Sequence, residues 1–178
     1  MHVPAVDRPL DEAEWRGFLG PSGFGQLLAS GRGRDVPVAV PVQYVVDDDD
    51  VLAHVVARNP LVEALAEQPR CVLSVAGDWA FVPSAWKAVG AEDPALGIPT
   101  TYYAAVQLRG TARVVADPDE LAGLLRRQLA TLQPGVAVAD PAVAHRAKLA
   151  QIRGIRLAVD EVVAKFKFGG NVDEAHRR

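Results

Sequence analysis

The chain has 178 residues, 49% of them hydrophobic, and a formal net charge of −3. This composition excludes a mainly disordered protein and provides no basic footprint for nucleic acid. No apolar run reaches the ~20 residues that a transmembrane helix needs, and the acidic, proline-bearing start predicts no signal peptide. A single cysteine, Cys71, excludes an internal disulfide and predicts a buried thiol in a cytoplasmic protein.

The first third of the chain predicts two helices around three strands. Asp11–Leu19 has acidic residues in its first turn and predicts a helix that ends at a Gly-Pro-Ser-Gly break. Phe24–Ala29, Val36–Val46 and Val51–Ala57 are rich in β-branched residues and predict strands, the last two forming a hairpin. Leu61–Gln68 has the apolar spacing of a helix.

The turn of this predicted hairpin contains four consecutive aspartates, Asp47–Asp50. Such a run can bind a divalent cation, but consecutive aspartates at a hairpin tip more often form a solvated turn. Two prolines in the preceding strand, Pro37 and Pro41, predict a sheet margin or a place where the ladder opens.

The rest of the chain adds further strands and two helices. Pro83–Pro99 predicts an irregular stretch, of a length typical of functional loops. Thr100–Val115 predicts the longest strand, with Gly110 at a bulge or bend. Asp117–Leu132 begins with a capping residue and a proline, which predicts a helix. The other predicted elements are strands at Cys71–Ala76, Trp79–Val82 and Gly154–Val163 and a helix at Ala142–Gln151.

Six or seven antiparallel strands predict a mainly β protein whose sheet closes into a barrel, because open strand edges in water promote aggregation. Aromatic residues make up only 6% of the chain, so Val, Leu, Ile and Ala must fill the barrel. The apolar surface that remains exposed predicts a homodimer. We expect one domain, spanning residues 1–178.

The end of the third predicted strand carries the clearest candidate site. His54, Arg58 and Asn59 precede Pro60 and the next helix. A guanidinium, an amide and the N–H groups of a helix start suit a phosphate monoester, so this junction predicts a phosphorylated cofactor. The alternatives are a surface ion pair for Arg58 and a core position for His54.

Several segments, from about residue 23 to residue 171, resemble the PaiB family of FMN-binding split-barrel proteins. The segment from Ala53 to Pro60 is the most characteristic, although one residue is absent between Arg58 and Asn59. The other matching segments are Gly25–Leu28, Val38–Tyr44, Ala80–Val82, Trp86, Ile98–Thr100 and Lys165–Lys167 before Asn171. The resemblance implies a six-stranded antiparallel split β-barrel and a homodimer with FMN near its interface.

The resemblance also implies a role for each matching residue. Arg58 and Asn59 would hold the FMN phosphate, and His54 would contact the ribityl chain or the pyrimidine edge. Trp86 would stack on the ring or fill the dimer interface, and Lys87 would add phosphate charge or remain a solvated loop residue. The complete predicted cofactor site is Val38, Ala39, Val40, Pro41, His54, Val55, Arg58, Asn59, Ser84, Trp86, Lys87, Thr100 and Thr101.

The chain departs from the family pattern at residues 83–87, 101–102 and 168–170. These departures imply an altered cofactor preference, weaker FMN binding or an empty site. No catalytic triad, zinc-ligand spacing or nucleotide-binding loop is present. A flavin supplies its own redox chemistry, so an enzyme is not excluded.

Three functions remain open from the sequence. The first is an FMN-binding protein with oxidoreductase activity. The second is a PaiB-like transcriptional regulator, although the net negative charge and the lack of a helix-turn-helix motif argue against direct DNA contact. The third is a split barrel that uses haem, with His54 on the iron, or a deazaflavin, or no cofactor.

Overall fold

The computed structural model describes residues 1–88 and 91–172, and its six strands form a closed barrel in the order β1-β2-β3-β6-β5-β4. The strands are β1 Ser22–Ala29, β2 Val38–Asp47, β3 Asp50–Val56, β4 Arg70–Val82, β5 Thr100–Val115 and β6 Ile152–Lys167. The helices are α1 Glu12–Leu19, α2 Pro60–Glu67, α3 Pro118–Leu132, α4 Pro141–Ala144 and α5 Arg146–Leu149. The mainly β class and the six-stranded barrel are therefore confirmed.

Three elements differ from their predicted form. The two strands predicted at residues 71–76 and 79–82 form one strand, β4, and the last strand, β6, is longer than expected. Acidic residues in β6 are accommodated because Asp160 pairs with Arg70 and Glu161 pairs with Arg109. The helix predicted at residues 142–151 is two single turns, interrupted at His145.

The loop predicted at residues 83–99 contains two 3₁₀ turns, Ser84–Trp86 and Pro94–Leu96, and its residues 89–90 lie outside the described part. Among the helices of the described residues, none has the length and apolar character needed to cross a bilayer.

The described backbone divides into two compact units. The barrel unit comprises Gly17–Val75 and Gln107–Val162. The terminal unit comprises the described parts of Met1–Arg16, Ala76–Val106 and Val163–Arg178. A single domain for the whole chain remains a prediction.

β3 separates two apolar layers of the barrel unit. Val51, Ala53 and Val55 are buried on one side of the strand, which faces the barrel interior. Leu52 points to the opposite side, where it is buried against α3. The outer layer contains Leu52, Val115, Leu121, Ala122, Leu124 and Leu149. α3 therefore covers part of the outer surface of the barrel. His54, the next residue of β3 after Leu52 to point outward, lies beside this helix.

Candidate functional site

The junction between β3 and α2 is built by local capping. The side-chain Oδ1 of Asn59 accepts a hydrogen bond of 3.0 Å from the backbone N–H of Leu61, and Pro60 occupies the first helical position. The backbone N–H of Asn59 donates to the carbonyl of Val56 at 2.9 Å. The oxygen of the Asn59 amide is thus used by the helix, while its nitrogen remains a potential ligand donor.

Arg58 precedes this cap and is exposed. Most arginines of the chain pair with carboxylates, as in the pairs Arg34–Glu67 and Arg113–Glu120. Within the described residues Arg58 forms no ion pair, so the alternative of a surface ion pair is not observed there. Its guanidinium is therefore available to an anion.

The opposite end of α2 is fixed by the loop between β1 and β2. The Glu67 carboxylate accepts from the backbone N–H of Arg32 and pairs with Arg34. The Arg32 N–H is the largest influence that lowers the pKa of Glu67, followed by the Arg34 side chain. Glu63, also on α2, makes a second ion pair with Arg34. These contacts orient α2, and with it the Arg58–Asn59 junction, on the barrel.

His54 lies on the outward side of β3 and is exposed, so it is not a core residue. Its Nδ1 lies 2.8 Å from Oε1 of Gln128, which is only 3% exposed. The Gln128 Nε2 donates to the Leu52 carbonyl at 3.4 Å. Gln128 was missed by the sequence analysis, although a polar residue in the apolar register of Leu121 and Leu124 is a signal that could have identified it.

The predicted residues of β2 lie where that strand separates from β3. The β2–β3 ladder pairs Val45–Asp47 with Asp50–Leu52, whereas Val38–Pro41 pair with β1 only, within the part of the chain that the structure describes. Ala39 and Pro41 are exposed and Val38 and Val40 are half-buried. The β2–β3 ladder therefore opens near Pro37 and Pro41, which is one of the two outcomes that these prolines predicted. The N–H and C=O groups on one edge of Val38–Pro41 can then bind another partner. The side chain of Val55 is buried, which leaves only its backbone for a ligand.

The remaining predicted residues belong to the terminal unit. Trp86 is 74% exposed, at the end of the 3₁₀ turn that begins at Ser84. Lys87 and Asn171 line one cavity of about 300 Å³, so two motifs that are distant in the chain meet there. The Nζ of Lys167 donates to Oγ1 of Thr100 at 2.7 Å. Thr101 is half-buried on β5.

Two of the four aspartates of the hairpin, Asp47 and Asp50, form ion pairs with arginines. Asp50 lies 2.5 Å from Nε of Arg156, and Asp47 lies 3.6 Å from Arg127. Asp47 and Asp50 face each other across the hairpin, and these arginines offset the repulsion between the two carboxylates. The described residues contain no group of three or more side chains that could hold a metal ion.

The junction fits a phosphorylated cofactor. Arg58 offers a guanidinium that no described carboxylate neutralises, and Asn59 offers an amide nitrogen next to it. A phosphate monoester carries nearly two negative charges and several acceptor oxygens, which match these donors. The six-stranded barrel is the fold expected of FMN-binding split barrels, and the junction offers donors that suit a phosphorylated cofactor.

Comparison with known families agrees with this class. The model of the family described as "Putative FMN-binding domain" matches residues 1–161. The chain therefore belongs to this family of FMN-binding domains, which confirms FMN as the expected cofactor. No curated protein matches the chain significantly.

Solved structures share the fold at low sequence identity. The flavocytochrome Anf3 from Azotobacter vinelandii is 20% identical with a TM-score of 0.70, over 94% of this chain and 73% of that one. The FAD and heme binding protein from Mycobacterium smegmatis is 20% identical with a TM-score of 0.68, over 90% and 73%. A conserved hypothetical protein from Mycobacterium tuberculosis is 15% identical with a TM-score of 0.66, over 98% and 95%. These similarities show the fold alone.

Proposed function

We propose that the barrel unit binds FMN at the β3–α2 junction and that the protein is a flavin-dependent oxidoreductase. The observation that carries the proposal is Arg58, an exposed cation without a described ion-pair partner, next to a capped helix start. Arg58 and the amide nitrogen of Asn59 hold the phosphate. The open backbone edge of Val38–Pro41 meets the ring, and His54 contacts the polar part of the cofactor.

The role of the chain is to bind and orient the cofactor. FMN, when bound, supplies hydride or single-electron transfer, so the protein needs no nucleophile of its own. Arg58 neutralises phosphate charge, and the β2 edge provides backbone groups for the ring. Pro41 has no N–H, so at that position the backbone can only accept a hydrogen bond. Ser84, Trp86, Lys87, Thr100 and Thr101 of the terminal unit remain predicted contacts.

The experiment compares FMN with riboflavin, which has the same ring and ribityl chain but no phosphate. Arg58→Ala should weaken FMN binding by about tenfold or more, since a charge-assisted hydrogen bond contributes about 1.5–3 kcal/mol. Its riboflavin affinity should stay that of the wild type. Lys148→Ala is the matched control, because Lys148 is an exposed cation of α5 without an ion pair among the described residues. Fluorescence titration measures both ligands.

Two results would contradict the proposal. Absence of FMN binding by the wild-type protein at millimolar ligand, with no thermal shift, would remove the cofactor assignment. Equal losses for FMN and riboflavin in Arg58→Ala would show that this residue does not contact the phosphate. Reduction of the bound flavin by a nicotinamide or thiol donor then tests the oxidoreductase activity.

Haem is a second candidate ligand, and the orientation of His54 favours it. The Nδ1 of the ring faces Gln128, and Nε2 has no hydrogen-bond partner among the described residues, so Nε2 is the nitrogen that would bind haem iron. Two proteins of similar fold are a flavocytochrome and an FAD and heme binding protein. A Soret band that forms on haem addition and is lost in His54→Ala would support this candidate, and no band would exclude it.

The PaiB-like regulator is the alternative function, supported by the matching segments alone. The net charge of −3 argues against tight, direct duplex binding. A gel-shift experiment at low salt with the DNA upstream of the coding sequence separates the two functions. A specific shift would support the regulator, and no shift together with reducible bound flavin would support the oxidoreductase.

We also propose that the protein is a homodimer. In the terminal unit, Trp79 is 71% exposed, Phe81 57% and Trp86 74%. Large aromatic side chains are enriched in protein interfaces relative to the rest of the protein surface. In the predicted split-barrel dimer, a second copy of the chain would cover these exposed aromatic side chains.

A further inference from the structure

Gln128 is a buried polar residue whose neighbours fix its orientation. It lies on α3 and is 3% exposed. One end of its amide lies 2.8 Å from His54 Nδ1 and the other lies 3.4 Å from the Leu52 carbonyl oxygen. A buried amide between two partners is costly unless both ends are satisfied.

The hydrogen-bonding chemistry of these groups allows one assignment of donors and acceptors. The carbonyl of Leu52 can only accept, so the amide nitrogen of Gln128 must face it. The amide oxygen of Gln128 therefore faces His54, and this oxygen can only accept. His54 must then carry a hydrogen on Nδ1. In a neutral imidazole the other nitrogen, Nε2, has no hydrogen and keeps its lone pair.

We propose that Gln128 is a positioning residue that holds neutral His54 in the Nδ1–H tautomer, so that Nε2 accepts a hydrogen bond from the cofactor. The inference rests on the proposed FMN site. It specifies the chemistry of the group at Nε2, which must be a hydroxyl or a ring N–H. FMN provides such donors on its ribityl chain and its pyrimidine ring. A phosphate oxygen would repel this lone pair, so the phosphate belongs at Arg58.

Two substitutions separate positioning from packing. Gln128→Met keeps the length of the side chain but removes the acceptor for His54 Nδ1–H. Gln128→Glu keeps an acceptor for His54 Nδ1–H, because a carboxyl oxygen accepts a hydrogen bond in either protonation state. Circular dichroism and thermal melting first confirm that both variants fold.

The first measurement is the tautomer of His54, read from ring ¹⁵N chemical shifts of the cofactor-free protein at a pH where imidazole is neutral. The wild type and Gln128→Glu should carry the hydrogen on Nδ1. Gln128→Met should shift toward Nε2–H. A wild-type ring with its hydrogen on Nε2, or an unchanged tautomer in Gln128→Met, would overturn the positioning role.

The second measurement is FMN affinity. Gln128→Met should bind FMN about fivefold more weakly, the loss of roughly one neutral hydrogen bond, and Gln128→Glu should restore the wild-type affinity. A shifted tautomer with unchanged FMN affinity would overturn the contact with the cofactor but leave FMN binding intact. An Nδ1–H tautomer in a protein that binds no FMN would instead contradict the proposed function, and a Soret band on haem addition would then identify iron as the partner of Nε2.

Discussion

Asn59 uses the two ends of one side chain for different purposes. Its oxygen caps α2 through the N–H of Leu61, while its nitrogen has no partner within the described part of the chain and could donate to a ligand. Arg58, one residue earlier, has no structural partner among the described residues. A substitution at position 59 can therefore separate fold stability from cofactor binding, because Asp caps a helix as well as Asn does but cannot donate.

Asn59→Asp should keep the free energy of unfolding close to that of the wild type and weaken FMN binding, since its carboxylate repels the phosphate. Asn59→Ala should lower the free energy of unfolding by about 1 kcal/mol through loss of the cap. Urea denaturation measures the first quantity and FMN titration the second. Wild-type FMN affinity in Asn59→Asp would show that this residue is not at the phosphate.

Cys71 is a second residue whose surroundings make a measurable prediction. The thiol is 5% exposed, and burial raises its pKa from 9.0 to about 11. Below pH about 9 the thiol is neutral in both the folded and the unfolded chain. Above that pH the unfolded chain loses the proton first, so the free energy of unfolding should fall as the pH rises toward 11, by up to about 3 kcal/mol.

Cys71→Ala is the control for this pH dependence. It removes the titrating thiol and leaves every other ionisable group in place. The variant should lose less stability than the wild type between pH 9 and 11, as measured by urea denaturation. Parallel curves for the two proteins would show that the Cys71 thiol does not titrate differently in the folded state.

Among the elements, β5 and β6 approach closely in the barrel unit. Gly110 lies within the continuous strand β5, and a Cβ at this position would overlap the carbonyl oxygen of Ala158 on β6. The sequence predicted a bulge or bend at Gly110. The structure shows instead that this glycine allows β5 and β6 to pack closely. Gly123, in the middle of α3, has open space around the position of a Cβ.

Gly110→Ala should lower the free energy of unfolding by about 1–3 kcal/mol, because the strands must shift to accept the methyl group. Gly123→Ala is the matched control and should raise it by about 0.5–1 kcal/mol, through better helix propensity. Thermal and urea denaturation measure both. If the two variants changed stability in the same direction, the close approach of β5 and β6 would not be a packing constraint.

For the whole molecule, the exposed aromatic residues of the terminal unit lead to a prediction about assembly. The wild type should sediment at twice the chain mass at micromolar concentration. Trp79→Lys and Trp86→Lys should give monomers, because a charge in an apolar interface loses its hydration. Val143→Lys is the control, since Val143 is 82% exposed on α4 of the barrel unit and should not affect assembly. A monomeric wild type would contradict the dimer.

The sequence predicted best those features of the fold that depend on neighbouring residues, and predicted less well those that depend on contacts between distant residues. The bounds of Thr100–Val115 follow from a run of β-branched residues, and the start of α3 at Pro118 follows from its capping residue, Asp117. Both signals act over only a few positions. The strand predicted at Gly154–Val163 lacked the two residues before it and the four after it in β6, because the alternating apolar pattern ends at these positions. Only the arginine partners of Asp160 and Glu161 on β4 and β5 explain why these acidic residues remain in a strand.

By itself, the sequence determined the β-rich class and the chemistry of the Arg58-Asn59-Pro60 junction, since capping and a neighbouring guanidinium depend on adjacent residues. The tertiary structure decided that β2 and β3 separate beyond Val45 and Leu52. It also decided that His54 faces Gln128, a residue 74 positions away in the chain. The physical reason is that hydrogen-bond partners and open strand edges depend on which distant segments pack together.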